Sequence, residues 1–271
     1  MTLLVQACFP VFFGLSLYTG NLLILLWVLY VLFPVLDLVL PRDYWNPSPA
    51  QARSLEKDSR FLIPLYFTFF SDVAIYLYSL HLIANDNNYN GSVVNFTLLA
   101  LMTAQCSAAN GAVGHELFHR RSKIHRMFGI LGYAKFFYSH FYPSHIKYHH
   151  KTVGTPEDPV TARLNETALQ YFQRCIPGKI LEVWNHNNTS RKHWLSPKNE
   201  LLPHIALNIS ILLAITWKYG FLGGLFALTQ ATMCVLMIEI VNYVEHYGLK
   251  RSKDENGVYE PVSVRHSWNA P

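Results

Sequence analysis

A chain of 271 residues that is 51% apolar and only 14% charged is poor in charge beside soluble domains, which carry about 25%. That balance excludes an ordinary water-soluble enzyme and points to a membrane protein. The net charge of +5 comes with no basic-aromatic pattern, so it suits an anionic bilayer surface rather than nucleic acid.

Apolar runs near 3–19, 21–40, 61–83, 93–114, 200–218 and 221–243 each approach the roughly 20 residues that cross hydrocarbon as a helix. They predict an all-α, multi-pass integral membrane protein of about six transmembrane helices, built as one domain over residues 1–271. The N-terminus lacks a basic region and a small-residue cleavage site, so no signal peptide is expected. Arg42, Arg53, Lys57 and Arg60 follow the second run. Arg120, Arg121, Lys123 and Arg126 follow the fourth, and Lys250, Arg251 and Lys253 follow the sixth. The positive-inside rule places all three regions in the cytoplasm. Loop 84–92 has no Lys or Arg and the break at Tyr219-Gly220 is equally short, so both belong to the opposite side.

Residues 115–199 form a larger cytoplasmic insert. Its apolar stretch Phe128 to Phe141 is too short to cross and is expected in the interface. Pro156, Pro159, Pro177 and Pro197 are expected to break the remainder into short pieces. Cys8, Cys106, Cys175 and Cys234 are scattered and imply no disulfide framework.

The histidines carry the chemistry. His115 and His119 stand one helical turn apart and share a face. His145 and His149 repeat that spacing, while His150 is rotated about 100° further and is open to a different metal. His246 ends the sixth run, where antiparallel packing of the fourth and sixth helices brings it beside His115 and His119. Neutral imidazoles in this pattern predict a site for iron, copper or zinc. The shortage of carboxylates argues against magnesium or calcium. Glu116, between two of the histidines, is expected to orient imidazoles rather than bind metal. Asp158 and Glu245 are candidates for the same role, and Glu245 near the end of an apolar helix needs a partner. His125, His140, His186, His193 and His204 lack partner spacing and are expected at surfaces or interfaces; His266 stays open. His115-Glu116-x-x-His119 is also the zinc-protease pattern, although no third-ligand motif follows and His149 and His150 would have no role.

Beyond the histidines, the chain contains Phe33-Pro34-Val35-Leu36-Asp37, Thr155-Pro156-Glu157-Asp158-Pro159 and Asn199-Glu200-Leu201-Leu202. It also contains Asn242-Tyr243-Val244-Glu245-His246-Tyr247-Gly248 and His266-Ser267-Trp268-Asn269. With His115-Glu116-Leu117-Phe118-His119, these blocks resemble the integral-membrane alkane 1-monooxygenase family, histidine-box di-iron enzymes of the fatty-acid desaturase and hydroxylase superfamily. The resemblance implies that His115, His119, His145, His149, His150 and His246 ligate iron. It also implies hydroxylation of the terminal methyl of medium-chain alkanes, or of related fatty acyl chains, with O2 and two electrons from rubredoxin or an equivalent donor.

Ser144 stands where the family usually has a glutamate. A further histidine box of the type Gln-Arg-His-x-x-His-His is expected after Pro271, so the chain is expected to be incomplete at its C-terminus and its hold on a second iron to be impaired. A form of the same family that does not hydroxylate by itself is the alternative.

Overall fold

The computed structural model describes residues 2–41, 47–48, 50–51, 55, 58–189 and 199–268. Arg42, Arg53, Lys57, His193, Pro197 and Asn269 lie outside them. Among the described residues there is no strand, only an isolated bridge between Lys253 and Tyr259. The elements are α1 (Thr2–Thr19), α2 (Ile24–Val39), α3 (Leu62–Asn85), α4 (Val93–Phe118), α5 (Lys123–Ala134), α6 (141–152), α7 (Ala168–Thr189) and α8 (Leu201–His246).

Among the described residues, three helices are long and apolar enough to cross a membrane: α3 with its leading turn from Ser59, α4, and α8. The 46-residue α8 covers two of the expected runs. It changes direction at Gly220, where φ is 73° and ψ is −176°, a backbone region open almost only to glycine. Leu213, Trp217 and Phe221 are exposed at intervals of four, a stripe suited to lipid contact.

Helix α4 is the central element, packed against α3, α5 and α8. Asp86 and Ser92 cap the turns around loop 86–92 by accepting hydrogen bonds from Asn88 and Asn95 backbone N–H groups, as N-caps do. Between α3, α4 and α8 lies one apolar core that includes Leu80, Ile83, Leu99, Met102 and Phe226. A second core, with Phe118, Tyr133, Phe136, Phe141 and Cys234, lies between those helices and the histidines. The Phe128-to-Phe141 stretch, expected only to lie along the interface, forms most of α5 and packs tightly on α4. A Cβ on Gly129 would stand 2.7 Å from the Gly114 carbonyl oxygen, so glycine on α5 is what permits that approach.

One expectation is corrected. Pro177 does not break the chain, because α7 runs through it from Ala168 to Thr189. Buried Cys175 and Lys179 anchor the helix on both sides of the missing N–H. Charges also stand inside the apolar segments. Asp72 on α3 is 2% exposed and meets Lys135 at 2.7 Å, with Ser107 and Asn110 of α4 donating to the same carboxylate at 3.0 and 2.7 Å.

Gly220→Ala should destabilise the protein by about 1–3 kcal/mol through backbone strain alone, since a Cβ there meets nothing within 4 Å. Thermal unfolding in detergent would show it as a lowered midpoint with unchanged helix content.

Candidate metal centre

The first histidine pair lies at the end of α4, and the winding of α6 sets the second. Residues His145–His149 form a π-type turn with i→i+5 hydrogen bonding. In an α-helix His150 would stand about 140° around from His145; the wider turn swings it back. His150 Nε2 therefore lies 3.0 Å from His145 Nε2, and His115 Nε2 lies 2.6 Å from the same atom. The wider turn thus adds His150 to the face of His145, which α-helical spacing did not predict, while the His149 ring stays 5.3 Å from that of His145. Ligand atoms of His115, His119, His145 and His150 all fall within 4.8 Å of one another.

His149 and His246 form a second pair, with ring centres 5.0 Å apart. His149 Nδ1 is 3.0 Å from Asp158 Oδ2. His246 Nδ1 is 3.0 Å from the His266 carbonyl oxygen. A carboxylate and a carbonyl only accept, so both Nδ1 atoms carry the proton and each Nε2 keeps its lone pair. Asp158 also accepts from the Thr161 hydroxyl at 2.6 Å and the Val160 N–H at 3.0 Å. Burial pushes its carboxyl up, and these hydrogen bonds outweigh burial to hold it below its ordinary value.

The environment favours the neutral form of His145 and His150, the form in which imidazole binds metal. Burial, then the neighbouring rings, hold His150 down at about 4 and His145 well below the ordinary histidine value. Four converging imidazole nitrogens, with a neighbouring pair whose Nδ1 atoms are tied to acceptors, are the donor set of a late first-row metal, and the residues fit iron on that ground.

The other sequence candidates are placed as follows. Glu116 pairs with Arg120 at 2.7 Å and half of its side chain is exposed, so it does not act as the expected clamp on imidazoles and is not positioned as a protease base. Glu245 lines the cavity beside the histidines and accepts from the Ser267 hydroxyl at 3.1 Å. His266 is buried; its Nδ1 accepts from the Ser263 N–H, and its Nε2 faces Glu260 at 3.5 Å, away from ligand duty. His125 meets the Tyr66 hydroxyl at 2.6 Å, and His204 meets Ser139 at 3.2 Å.

Three groups were missed. Lys179 and Glu239 form an ion pair at 2.6 Å with both side chains at most 1% exposed. Glu182 reaches Ser144 at 3.3 Å, so a carboxylate from α7 stands beside the position where the family glutamate is absent. A lone acid inside an apolar helix was the signal for Glu239. Nothing in the sequence signalled Glu182.

A cavity of about 380 Å³ opens below the histidines between α4 and the second half of α8. Ala108, Gly111 and Ala112 line one side; Met237, Ile238 and Val241 line the other.

A family profile described as fatty acid desaturase matches residues 92–271. The chain is 33% identical to alkane 1-monooxygenase 1 of Alcanivorax borkumensis, over 95% of this chain and 63% of that protein. It is 30% identical to alkane 1-monooxygenase 2 of Pseudomonas aeruginosa, over 90% and 66%. With the xylene/toluene monooxygenase hydroxylase component of Pseudomonas putida it shares 27%, over 90% and 65%. The chain therefore belongs to the fatty acid desaturase family. Within that family, these similarities group it with the alkane hydroxylases, and it spans less than two thirds of the length of the relatives just named.

Asp158→Asn should weaken metal binding about 10- to 100-fold, read as lost metal per chain by elemental analysis. Glu182 gives a pH-dependent test. Burial, then repulsion by Asp158, raises its carboxyl to about 7, against smaller lowering by Ser144 and Lys179. A carboxyl raised on folding carries its full stability below its unfolded value of 4.5, and that stability is lost as pH rises to the folded value of about 7. The thermal midpoint should therefore fall more steeply between about pH 4.5 and 7 in the native protein than in Glu182→Gln, and run parallel above that range.

Proposed function

We propose that this chain is the membrane-embedded part of a hydroxylase that acts on the terminal methyl of medium-chain alkanes, or of related fatty acyl chains. It would use O2 and two electrons from a rubredoxin-type donor. The observation that carries the proposal is the four-histidine convergence at the mouth of an apolar cavity lined by Gly111 and Ile238. Alkane substrates in the names of the relatives agree with that cavity.

The proposed ligands are His115, His119, His145, His149, His150 and His246, and the proposed metal is iron. Iron bound there supplies the oxidising power that an unactivated C–H bond demands. The protein's part is to bind and orient. Small residues on α4 leave room for a methylene chain, apolar residues on α8 exclude water, and the histidines stop the chain end at the metal-binding nitrogens. Asp158 and the His266 carbonyl fix the tautomers of His149 and His246, and Glu245 holds the segment at Ser267 against the cavity.

The proposed topology is one membrane-embedded domain with six crossings and the histidines on the cytoplasmic side. Support comes from the break of α8 at Gly220, from α1 and α2 as an apolar pair, and from Arg120, Arg121, Lys250 and Arg251 beside the site.

The protein, reconstituted in lipid nanodiscs with iron, a rubredoxin and its reductase, should convert a medium-chain alkane to its 1-alkanol, detected by gas chromatography. Iron-loaded protein that consumes no O2 in excess of reductase background and yields no alcohol would sink the proposal. Gly111→Val should lower kcat/KM about tenfold, equivalent to ~1.4 kcal/mol, with metal content unchanged, because a Cβ there already stands 3.0 Å from Ile238 Cδ1.

A further inference from the structure

Of the four converging histidines, His145 makes the closest contacts, 2.6 and 3.0 Å through Nε2 to His115 and His150. Its Nδ1 has no hydrogen-bond partner among the described residues. His149 and His246 are oriented by acceptors at Nδ1; His145 must be oriented otherwise. Its ring lies nearly parallel to Phe141, at 13° and 5.0 Å between centres. Phe141 in turn lies at 19° and 4.9 Å from Tyr133. The Lys179 ammonium stands 4.5 Å from the Phe141 ring centre and 5.7 Å from that of Tyr138.

Lys179 is itself immobilised. Its anion, Glu239, receives the Lys179 ammonium at 2.6 Å and the Tyr138 hydroxyl at 2.9 Å. The Cys175 thiol and the Tyr171 hydroxyl donate at 3.2 and 3.3 Å, and the Asn242 amide at 3.3 Å. Five donors on one carboxylate leave the ammonium a single position. A buried ion pair seldom adds stability over a well-packed apolar substitute, so its presence beneath the metal-facing ring calls for another role.

We propose that the buried Lys179–Glu239 pair is a positioning device that fixes the plane of the metal-facing imidazole of His145 through cation–π contact with Phe141. The proposal rests on the metal-centre reading above. Phe141 is wedged between the ammonium and two stacked rings, and rotation of the His145 ring requires Phe141 to leave the cation. Lys179 and Glu239 are thus positioning residues and touch neither substrate nor metal.

Cobalt(II) is the probe, because its visible d–d spectrum reports ligand geometry without turnover. The native protein in detergent is expected to bind cobalt(II) with a defined spectrum. The charge-neutral double variant Lys179→Met, Glu239→Gln should bind it at least tenfold more weakly with a shifted spectrum. The control double variant Asp72→Asn, Lys135→Met removes the other buried pair and should leave affinity and spectrum at native values. Phe141→Leu keeps the ion pair but removes the stack and should reproduce the spectral shift, which covers the case in which the first variant does not fold. Native affinity and spectrum in Lys179→Met, Glu239→Gln or in Phe141→Leu would overturn the proposal. Equal loss in the control would also overturn it, by making the effect one of general packing. A native protein that binds no cobalt(II) would instead remove the metal-centre reading, and this inference with it.

Discussion

Carboxylates do not stay ionised inside apolar helices unless a cation is brought to them, and this chain meets that demand twice with lysines from outside the spanning helices. Asp72 on α3 meets Lys135 at the end of α5, and Glu239 on α8 meets Lys179 on α7. Leaving either acid without its lysine would bury an uncompensated charge, which typically costs about 3–5 kcal/mol. The first pair ties the end of α5 to α3 and α4, and the second fixes α7 against α8 beside Phe141.

Geometry at the centre follows from the Lys179 attachment and from one local departure in winding. With α4 and α8 side by side, His115, His119 and His246 are supplied from the ends of rigid helices, while α6 supplies His145, His149 and His150 from a segment held on both flanks. The carboxylate and carbonyl acceptors at His149 and His246 come from the turn at 155–161 and from the segment at 263–268. The sequence blocks of those two segments make sense as second partners of imidazoles. The apolar cavity then lies where the small residues of α4 face the larger apolar side chains of α8.

Much of this was legible because hydrocarbon imposes simple rules on sequence. Length and apolarity located the helices able to cross a membrane but not the polar α7, and the spacing of four picked out His115 with His119 and His145 with His149. What escaped the sequence was anything that depended on partners distant along the chain. Asp72 and Glu239 sat inside apolar runs and were passed over, although an acid in such a run is itself a signal. Glu116 sat inside a motif and was given a role, but Arg120 one turn later claims it at the surface. The approach of His150 to His145 was hidden because spacing rules assume α winding. Pro177 looked like a break because propensity ignores the buried anchors on either side of it.

The π-type turn at His145–His149 also bears on how such a segment changes over generations. It is equivalent to one extra residue accommodated inside an ordinary helix, so a further residue inserted between His145 and His150 would turn the last ring by about another 100° and out of the cluster. The turn at 153–167, which has no helical phase to preserve, can absorb a change of length that the five preceding residues cannot. Descendants of this chain are therefore expected to vary in loop length just beyond the cluster and to keep the count within it.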